Sequence, residues 1–547
     1  MKKQSRISIL FQMLKMVSPL KWWMALAITL GVLGFLCAIF IPVLGAYAVS
    51  YGLGFAIPVS LKTLFVLLIL FAALRAFLHY GEQKTNHFIA FTLLAIIRDK
   101  VFQALRRLCP AKLEGRDRGD LISLITSDVE LLEVFYAHTI SPIAIAIVTE
   151  LIMVLLITSF PPLEGLWALC SYLIIGIALP AAISKRSGST GDELRKQNGE
   201  LAAYMLENIR GLDATIQYGT GEERLAEMNR RTEEFSKKQG DLNTLTGSNT
   251  ALVNTLIYFC DLIMFMIGAW LYTTGKVSFD GFLIPLIALM SSYGPVSALA
   301  ALGTTLQPTI ASASRVLAVL EEEPETEEIT GMDPVQFAGA SMEHVTFGYK
   351  KEDVLKDFSA DFKENRIIGV VGRSGCGKST MLKLLMRFWS TKQGEVKISD
   401  RDINTINTSD LRNMESYMTQ ETHLFKDTVA NNIRIARLDA TDEEVIEACK
   451  KASIHDFIMT LPKGYATQIG ELGETLSAGE RQRLSLARVF LHRAPFVLLD
   501  EPTSNMDSLN EAVILRSLKE ESGDKTIILV SHRHSTVRIA DETLELQ

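Results

Sequence analysis

Gly372-Arg373-Ser374-Gly375-Cys376-Gly377-Lys378-Ser379-Thr380 is a complete phosphate-binding loop, and its flanks place it where such a loop works. The apolar run Ile367 to Val371 reads as the strand before it, and Met381-Leu382-Lys383-Leu384-Leu385 opens the helix after it. Glycines let backbone amides close around phosphate oxygens, and the helix N-terminus adds favourable polarity. Lys378 is expected to pair with β- and γ-phosphates and Ser379 to ligate Mg²⁺, while Cys376 fills a variable position of the loop. Farther on, Phe496-Val497-Leu498-Leu499-Asp500-Glu501 is an apolar strand ending in two carboxylates. Asp500 at its tip is suited to the Mg²⁺ shell, and Glu501 to polarising an attacking water. Thr526 to Val530 reads as another buried strand, delivering Ser531-His532 with an imidazole at γ-phosphate height. Strands and helices alternate throughout this region, as in an α/β P-loop NTPase.

Upstream of the loop, the acidic run Glu321-Glu322-Glu323-Pro324-Glu325-Thr326-Glu327-Glu328 reads as a solvated connector. It divides the chain into 1–320, a linker over 321–337, and 338–547. The front part is apolar. A helix rises about 1.5 Å per residue, so roughly 20 apolar residues cross a hydrocarbon core about 30 Å thick. Runs of that kind at about 22–47, 61–80, 140–160, 165–184, 251–273 and 280–300 predict an α-helical membrane domain of six transmembrane helices. Two long polar stretches, about 84–138 and 185–245, separate them and carry most of the Lys and Arg, whereas the short connections carry only Lys276, with Lys62 at a span edge. The positive-inside rule then puts both termini in the cytoplasm. The basic N-terminus Met-Lys-Lys-Gln-Ser-Arg leads into an apolar run longer than a signal-peptide core, so it reads as the approach to a first span.

Of the 547 residues, 48% are hydrophobic and 21% charged, and the formal net charge is −7, which leaves no basic field for nucleic acid. Six cysteines, at 37, 109, 170, 260, 376 and 449, show no CxxC pair or metal spacing and read as free thiols. Glu150 and Asp261 fall inside apolar runs, where a carboxylate is expensive and must face a cavity, a partner or water. Two readings stay open for them: lining of a substrate path, or hydrogen bonding between helices. His79, His87 and His138 near the second and third spans could bind a metal or haem, yet no spacing sets that above ordinary polar packing.

Shortly before the Asp500-Glu501 strand stands Leu476-Ser477-Ala478-Gly479-Glu480-Arg481-Gln482-Arg483. Here the chain resembles the ABC transporters, whose signature reads LSGGQ in its usual form. By that resemblance Tyr349 is the aromatic that stacks on adenine, Gln420 the Q-loop glutamine that reaches nucleotide and metal, Ser504 to Asp507 the D-loop and His532 the switch histidine. Ser477 and Gly479 would serve the ATP held by a second half. The six spans look like the exporter-type (type IV) fold, with coupling helices around Gly119-Asp120-Leu121-Ile122 and Gly211 to Gly221. A looser likeness, over Arg75 to Leu94 and in the glutamate-bearing signature, is to cysteine and glutathione exporter subunits and to siderophore or haem-uptake half-transporters. The resemblance implies an ATP- and Mg²⁺-dependent translocase subunit moving a small molecule across the cell membrane, with import or export open. A regulatory membrane subunit that gates a partner without net transport is the alternative.

All cis groups the family uses are present, namely Lys378, Ser379, Gln420, Asp500, Glu501 and His532. Ala478 replaces a glycine and Glu480 a glutamine in the signature, and the sequence stops at Gln547 without the tail usual for such proteins. These departures favour a heterodimer with a non-identical half over a homodimer.

Overall fold

The structure, a computed structural model, describes residues 5–55, 59–187, 190–349, 352–470 and 476–546; the N-terminal Met-Lys-Lys-Gln and the final Gln547 lie outside that set. The chain divides into two compact units, one of Met1–Leu105 with Arg116–Glu322 and the other of Arg106–Gly115 with Glu323–Gln547. Among the described residues of the first unit, six helices are long and apolar enough to cross a membrane: Ser18–Gly52, Leu61–Leu108, Gly119–Thr158, Pro162–Ile183, Gly221–Thr273 and Phe279–Leu299. Several far outrun the apolar stretches that announce them. Gly221–Thr273 is 53 residues long, so at about 1.5 Å per residue it reaches well beyond any hydrocarbon core. Its first thirty residues are polar, rich in Glu, Arg and Lys, and remain helical because nothing in them breaks the i to i−4 ladder.

The core of the first unit packs Ile39 and Val43 of the first span against Met153, Ile157, Tyr172, Ile175, Met264 and Leu289. Tyr172 Oη and Ser292 Oγ lie 2.5 Å apart inside it, and the Tyr172 and Tyr293 rings meet edge to face. Glu150 and Asp261 are buried in this packed bundle at 8% and 9% exposure, and Glu164 joins them at 1%. They therefore sit between helices of one chain. His87 and His138 come together with ring centroids 5.8 Å apart, but among the described residues no group of three or more His, Cys, Asp or Glu could hold a metal ion. All six cysteines are free.

The second unit holds two sheets. β1 (Ala340–Phe347), β2 (Leu355–Phe362), β4 (Gln393–Ile398) and β5 (Arg401–Asp402) form an antiparallel sheet in the order β2-β1-β4-β5. β3 (Ile367–Gly372), β6 (Glu415–Met418), β7 (Phe496–Asp500), β8 (Thr526–Val530) and β9 (Glu542–Leu546) form a parallel sheet in the order β6-β7-β8-β3-β9. Strands β7 and β8 are buried at every position, which is why they read as unbroken apolar runs. Pairing sets Asp500 opposite Val530 and Val530 opposite Val370. The C-terminal tips of β3, β7 and β8 thus end in one row, where open α/β sheets carry their ligands.

One buried carboxyl underlies this sheet. Glu415, at the start of β6, is 3% exposed and takes a hydrogen bond of 3.0 Å from Arg412. Burial pushes its carboxyl up to about 8, Arg412 and Arg387 offsetting only part of the desolvation. Because the folded value exceeds the unfolded one, the folded state holds an extra proton between them. The associated stability is full below about pH 4.5 and is lost as pH rises toward 8. Between about pH 5 and pH 8.5 the melting temperature of the cassette transition should fall by about a few degrees, and Glu415→Gln should flatten that slope. Scanning calorimetry at both pH values reads it; an unchanged slope in the variant would remove Glu415 as the cause.

Candidate active site: the nucleotide cassette

Gly375 and Gly377 adopt φ of +83° and +104°, the left-handed conformations that let the loop after β3 curl back on itself. A Cβ on Gly377 would come within 2.8 Å of Leu355, so the loop is also seated too closely for a side chain there. Arg373, Ser374 and Gly375 stand exposed at the loop's crest, whereas Gly377, Lys378 and Thr380 are buried. Lys378 begins the helix Lys378–Leu385 and folds back over the loop, donating to the carbonyls of Gly372 and Arg373 at 2.9 Å each. Its Nζ also lies 3.9 Å from Cys376 Sγ. The ammonium is thereby aimed across the loop's concave side, where phosphate oxygens would meet it.

Asp500 is 4% exposed, and burial raises its carboxyl above the ordinary value, with a hydrogen bond from Ser379 working the other way. A buried carboxylate beside a hydroxyl is an all-oxygen donor pair that suits Mg²⁺, a cation that takes one or two protein ligands and completes its shell with phosphate and water. The residues present fit the ion. Gln420 lies exposed on the loop after β6, and among the described residues it makes no hydrogen bond to Asp500 or Ser379.

Glu501 follows Asp500 at φ +52°, an unusual conformation for a side chain that small residues ordinarily occupy. Three contacts enforce it. Its amide donates to Val530 O at 3.0 Å, its carbonyl accepts from Gln482 Nε2 at 2.6 Å, and Glu501 Oε1 lies 3.1 Å from His532 Nδ1. The turn swings the carboxylate off the line of the strand toward His532. Gln482 carries no signal of this role in the sequence beyond its place after the signature. It is 2% exposed, and it also donates to Ser504 Oγ at 3.1 Å while accepting from Asn505 N at 3.2 Å. Arg533 completes the clamp by donating to Ser504 O at 2.9 Å. The helix Ala478–His492, the stretch Ser504–Asn505 and the tip of β7 are thus one hydrogen-bonded body.

Tyr349 packs edge to face on Phe347 and Trp389, and its hydroxyl lies 3.2 Å from Thr380 Oγ1. The Lys383 ammonium sits 5.7 Å from the centre of its ring and pairs with Glu114. Burial alone would lower the Lys383 ammonium, but Glu114 outweighs it and holds the group above its ordinary value. Ser477 and Gly479 are not brought to this loop among the described residues. Ser477 caps the helix Ala478–His492 in a reciprocal box with Glu480, and Gly479 lies against the carbonyl of Asn505.

The family model of the ABC transporter transmembrane region matches residues 24–296, and that described as ABC transporter matches residues 355–504. The chain is 45% identical over 540 residues to a Haemophilus influenzae protein described as "Probable ABC transporter ATP-binding/permease protein", covering 98% of each. It is 30% identical over 492 residues to a "Fatty acid ABC transporter ATP-binding/permease protein" of Mycobacterium tuberculosis, covering 89% of this chain and 77% of that one. In fold it is similar to the solved structure of a bacterial Atm1-family ABC exporter with ATP bound, at TM-score 0.84 and 21% identity over 97% of this chain and 94% of the other. A membrane region and an ATP-binding cassette in one polypeptide, matched along almost its whole length, make this chain a member of the ABC transporter family: a fused, exporter-type half-transporter whose ATPase is coupled to transport.

Proposed function

We propose that this half-transporter expels an amphipathic small molecule across the bacterial cell membrane, with both termini cytoplasmic and a non-identical second half completing the pump. The observation that carries the hydrolytic part is the Glu501–His532 contact of 3.1 Å at the tips of β7 and β8, beside Asp500, Ser379 and Lys378. In this reading Glu501 takes a proton from the attacking water, His532 orients that carboxylate and the γ-phosphate, and Lys378 steadies the β- and γ-phosphate oxygens. Tyr349 supports the adenine, and the exposed Arg373, Ser374 and Gly375 offer backbone amides from the crest of the loop. Ser379 and Asp500, with Gln420 swung in, would hold a Mg²⁺ that neutralises charge developing on the phosphates. Such positioning and electrostatics are nearly all that phosphoryl transfer requires of a protein.

Among the described residues Ser477 and Gly479 make no contact with their own phosphate loop, which supports their use by a second cassette. The stretch from Gly211 to Gly221 supports the same assembly, because Leu212, Ile216 and Tyr218 are exposed on it beside Ile209, an apolar surface suited to docking. An outward direction rests on the exporter-type architecture, and an amphipathic cargo on the likeness to the mycobacterial fatty acid transporter. Ala478, exposed at the start of the signature helix, supports a non-identical partner. No observation favours a gating subunit without transport.

Native mass measurement of the detergent-extracted complex tests the assembly: two chain masses are expected, and a species built of this chain alone overturns the heterodimer. Inverted vesicles containing both halves should accumulate a fluorescent amphiphile with ATP and not with a non-hydrolysable analogue. Accumulation that ignores hydrolysis would defeat the pump reading.

A further inference from the structure

Beyond the tips of β7 and β8 the strand ladder ends, its last rung being the Glu501 amide on Val530 O at 3.0 Å. Glu501 and His532 nevertheless meet at 3.1 Å. Within its own chain the His532 side chain is 57% exposed and Glu501 is the polar group it faces, so the backbone on either side sets where the ring stands. Upstream, Ser531 N donates to Val370 O at 3.3 Å, which ties the approach to β3. Downstream, the anchors converge on one side chain, Glu511.

Glu511 lies in the first turn of the helix Ser508–Glu521 and is buried. Its Oε1 accepts from Thr536 Oγ1 at 2.7 Å and from Ser535 Oγ at 3.0 Å, and Arg533 Nη1 donates to its Oε2 at 3.4 Å. All three donors follow His532 closely in the chain. From the segment after Glu501 comes Thr503, whose Oγ1 lies 3.5 Å from Glu511 Oε1 and 3.0 Å from Thr536 Oγ1. Thr503 and Thr536 are both fully enclosed. Arg533 carries the bridge farther, donating to the carbonyls of Ser504 at 2.9 Å and Met506 at 3.4 Å. Burial alone would raise the Glu511 carboxyl, but the hydroxyls of Thr536 and Ser535 and the Arg533 guanidinium outweigh it and hold the group below its ordinary value. The anchor is therefore an anion, and charge-assisted hydrogen bonds to a buried anion make a rigid point. The segment after Glu501 and the segment after His532 are both pinned to it.

We infer that Glu511 is a positioning residue for ATP hydrolysis, holding the segment that carries His532 in register with the segment that follows Glu501. This rests on the hydrolytic reading of Glu501 and His532 above. A double-mutant cycle on the assembled transporter tests it, with phosphate release measured as a function of ATP concentration. Glu511→Gln keeps the shape and one acceptor oxygen but turns an amide toward Arg533. It should lower the maximal rate by about tenfold, since misplacing a reacting group by about an ångström can cost about a hundredfold. The ATP concentration for half-maximal turnover should stay within about twofold, because the phosphate loop is untouched. His532→Ala alone should lower the rate by about a hundredfold. Glu511→Gln added to it should then cost no more than about twofold, because a residue that acts through His532 is silent once the imidazole is gone. Thr536→Val removes one hydroxyl from the anchor at nearly constant volume, and it runs the same cycle with an expected loss of about threefold should Glu511→Gln fail to assemble. A loss that persists undiminished in the His532→Ala background makes Glu511 a scaffold residue and overturns the inference while the pump reading stands. A wild-type rate in Glu511→Gln, or a shift in half-saturation without one in rate, overturns it as well. Turnover unchanged by His532→Ala removes His532 from the chemistry, and the positioning role with it.

Discussion

Glu501→Gln should lower ATP turnover of the assembled transporter by about 10²- to 10³-fold, in the range removal of a positioned general base costs, while leaving ATP binding intact. The substitution keeps the size and hydrogen-bonding reach of the side chain but removes its affinity for a proton. The backbone gives no escape from this comparison, because φ at 501 is +52° and is held by Val530 O and Gln482 whichever of the two side chains is present. An amide can still contact His532 Nδ1, now 3.1 Å from Glu501 Oε1, so His532 stays in place. Phosphate release from the full complex, paired with retention of labelled ATP, separates the two effects. Retention of more than half the wild-type turnover would take the base assignment away from Glu501 and hand it to a group this geometry does not offer.

What the sequence made legible here is what is local in it. A nine-residue loop, a strand ending in Asp500-Glu501 and a strand ending in Ser531-His532 are contiguous, and each advertises its own geometry by apolar patterning and glycine spacing. Gln482 is the counterexample. It reaches Glu501, Ser504 and Asn505, across up to 23 positions, and a glutamine on a helix gives no hint of which loops will pack beside it. The left-handed turn at Glu501 is equally silent, since nothing about a glutamate announces positive φ; only the contacts around it do. In the spans, apolar runs located the crossings, but the polar continuation of Gly221–Thr273 keeps helical geometry for reasons of backbone continuity that hydropathy does not register. In the sequence, carboxylates at 150 and 261 are equally compatible with a lined path and with hydrogen bonding between helices; the fold adds that both are buried within the bundle of one chain.

Gly479→Ala should lower turnover of the assembled transporter by about ten- to a hundredfold without affecting how either chain binds ATP through its own phosphate loop. A Cβ at 479 would stand 2.7 Å from the carbonyl oxygen of Asn505, closer than such atoms approach. That carbonyl belongs to a residue whose amide is held by Gln482 Oε1, so it does not yield without disturbing the body that carries Glu501. The helix Ala478–His492 must tilt at its N-terminus instead, and Ser477 tilts with it. Glu480, by contrast, is a departure with little consequence. Its carboxylate accepts from Ser477 N at 2.7 Å in a capping box that glutamine also closes, so Glu480→Gln should leave turnover within about twofold. Position 478 is exposed, and its methyl group is the one change the second half would encounter directly. Ala478→Gly should therefore alter turnover only in the assembled complex, at a helix cost of about 0.5–1 kcal/mol. Phosphate release from the three variants in one preparation, with the partner present, ranks these effects. Should Gly479→Ala stay within twofold of wild type, the coupling of signature to D-loop through Asn505 would not be what holds the second half's ATP in register.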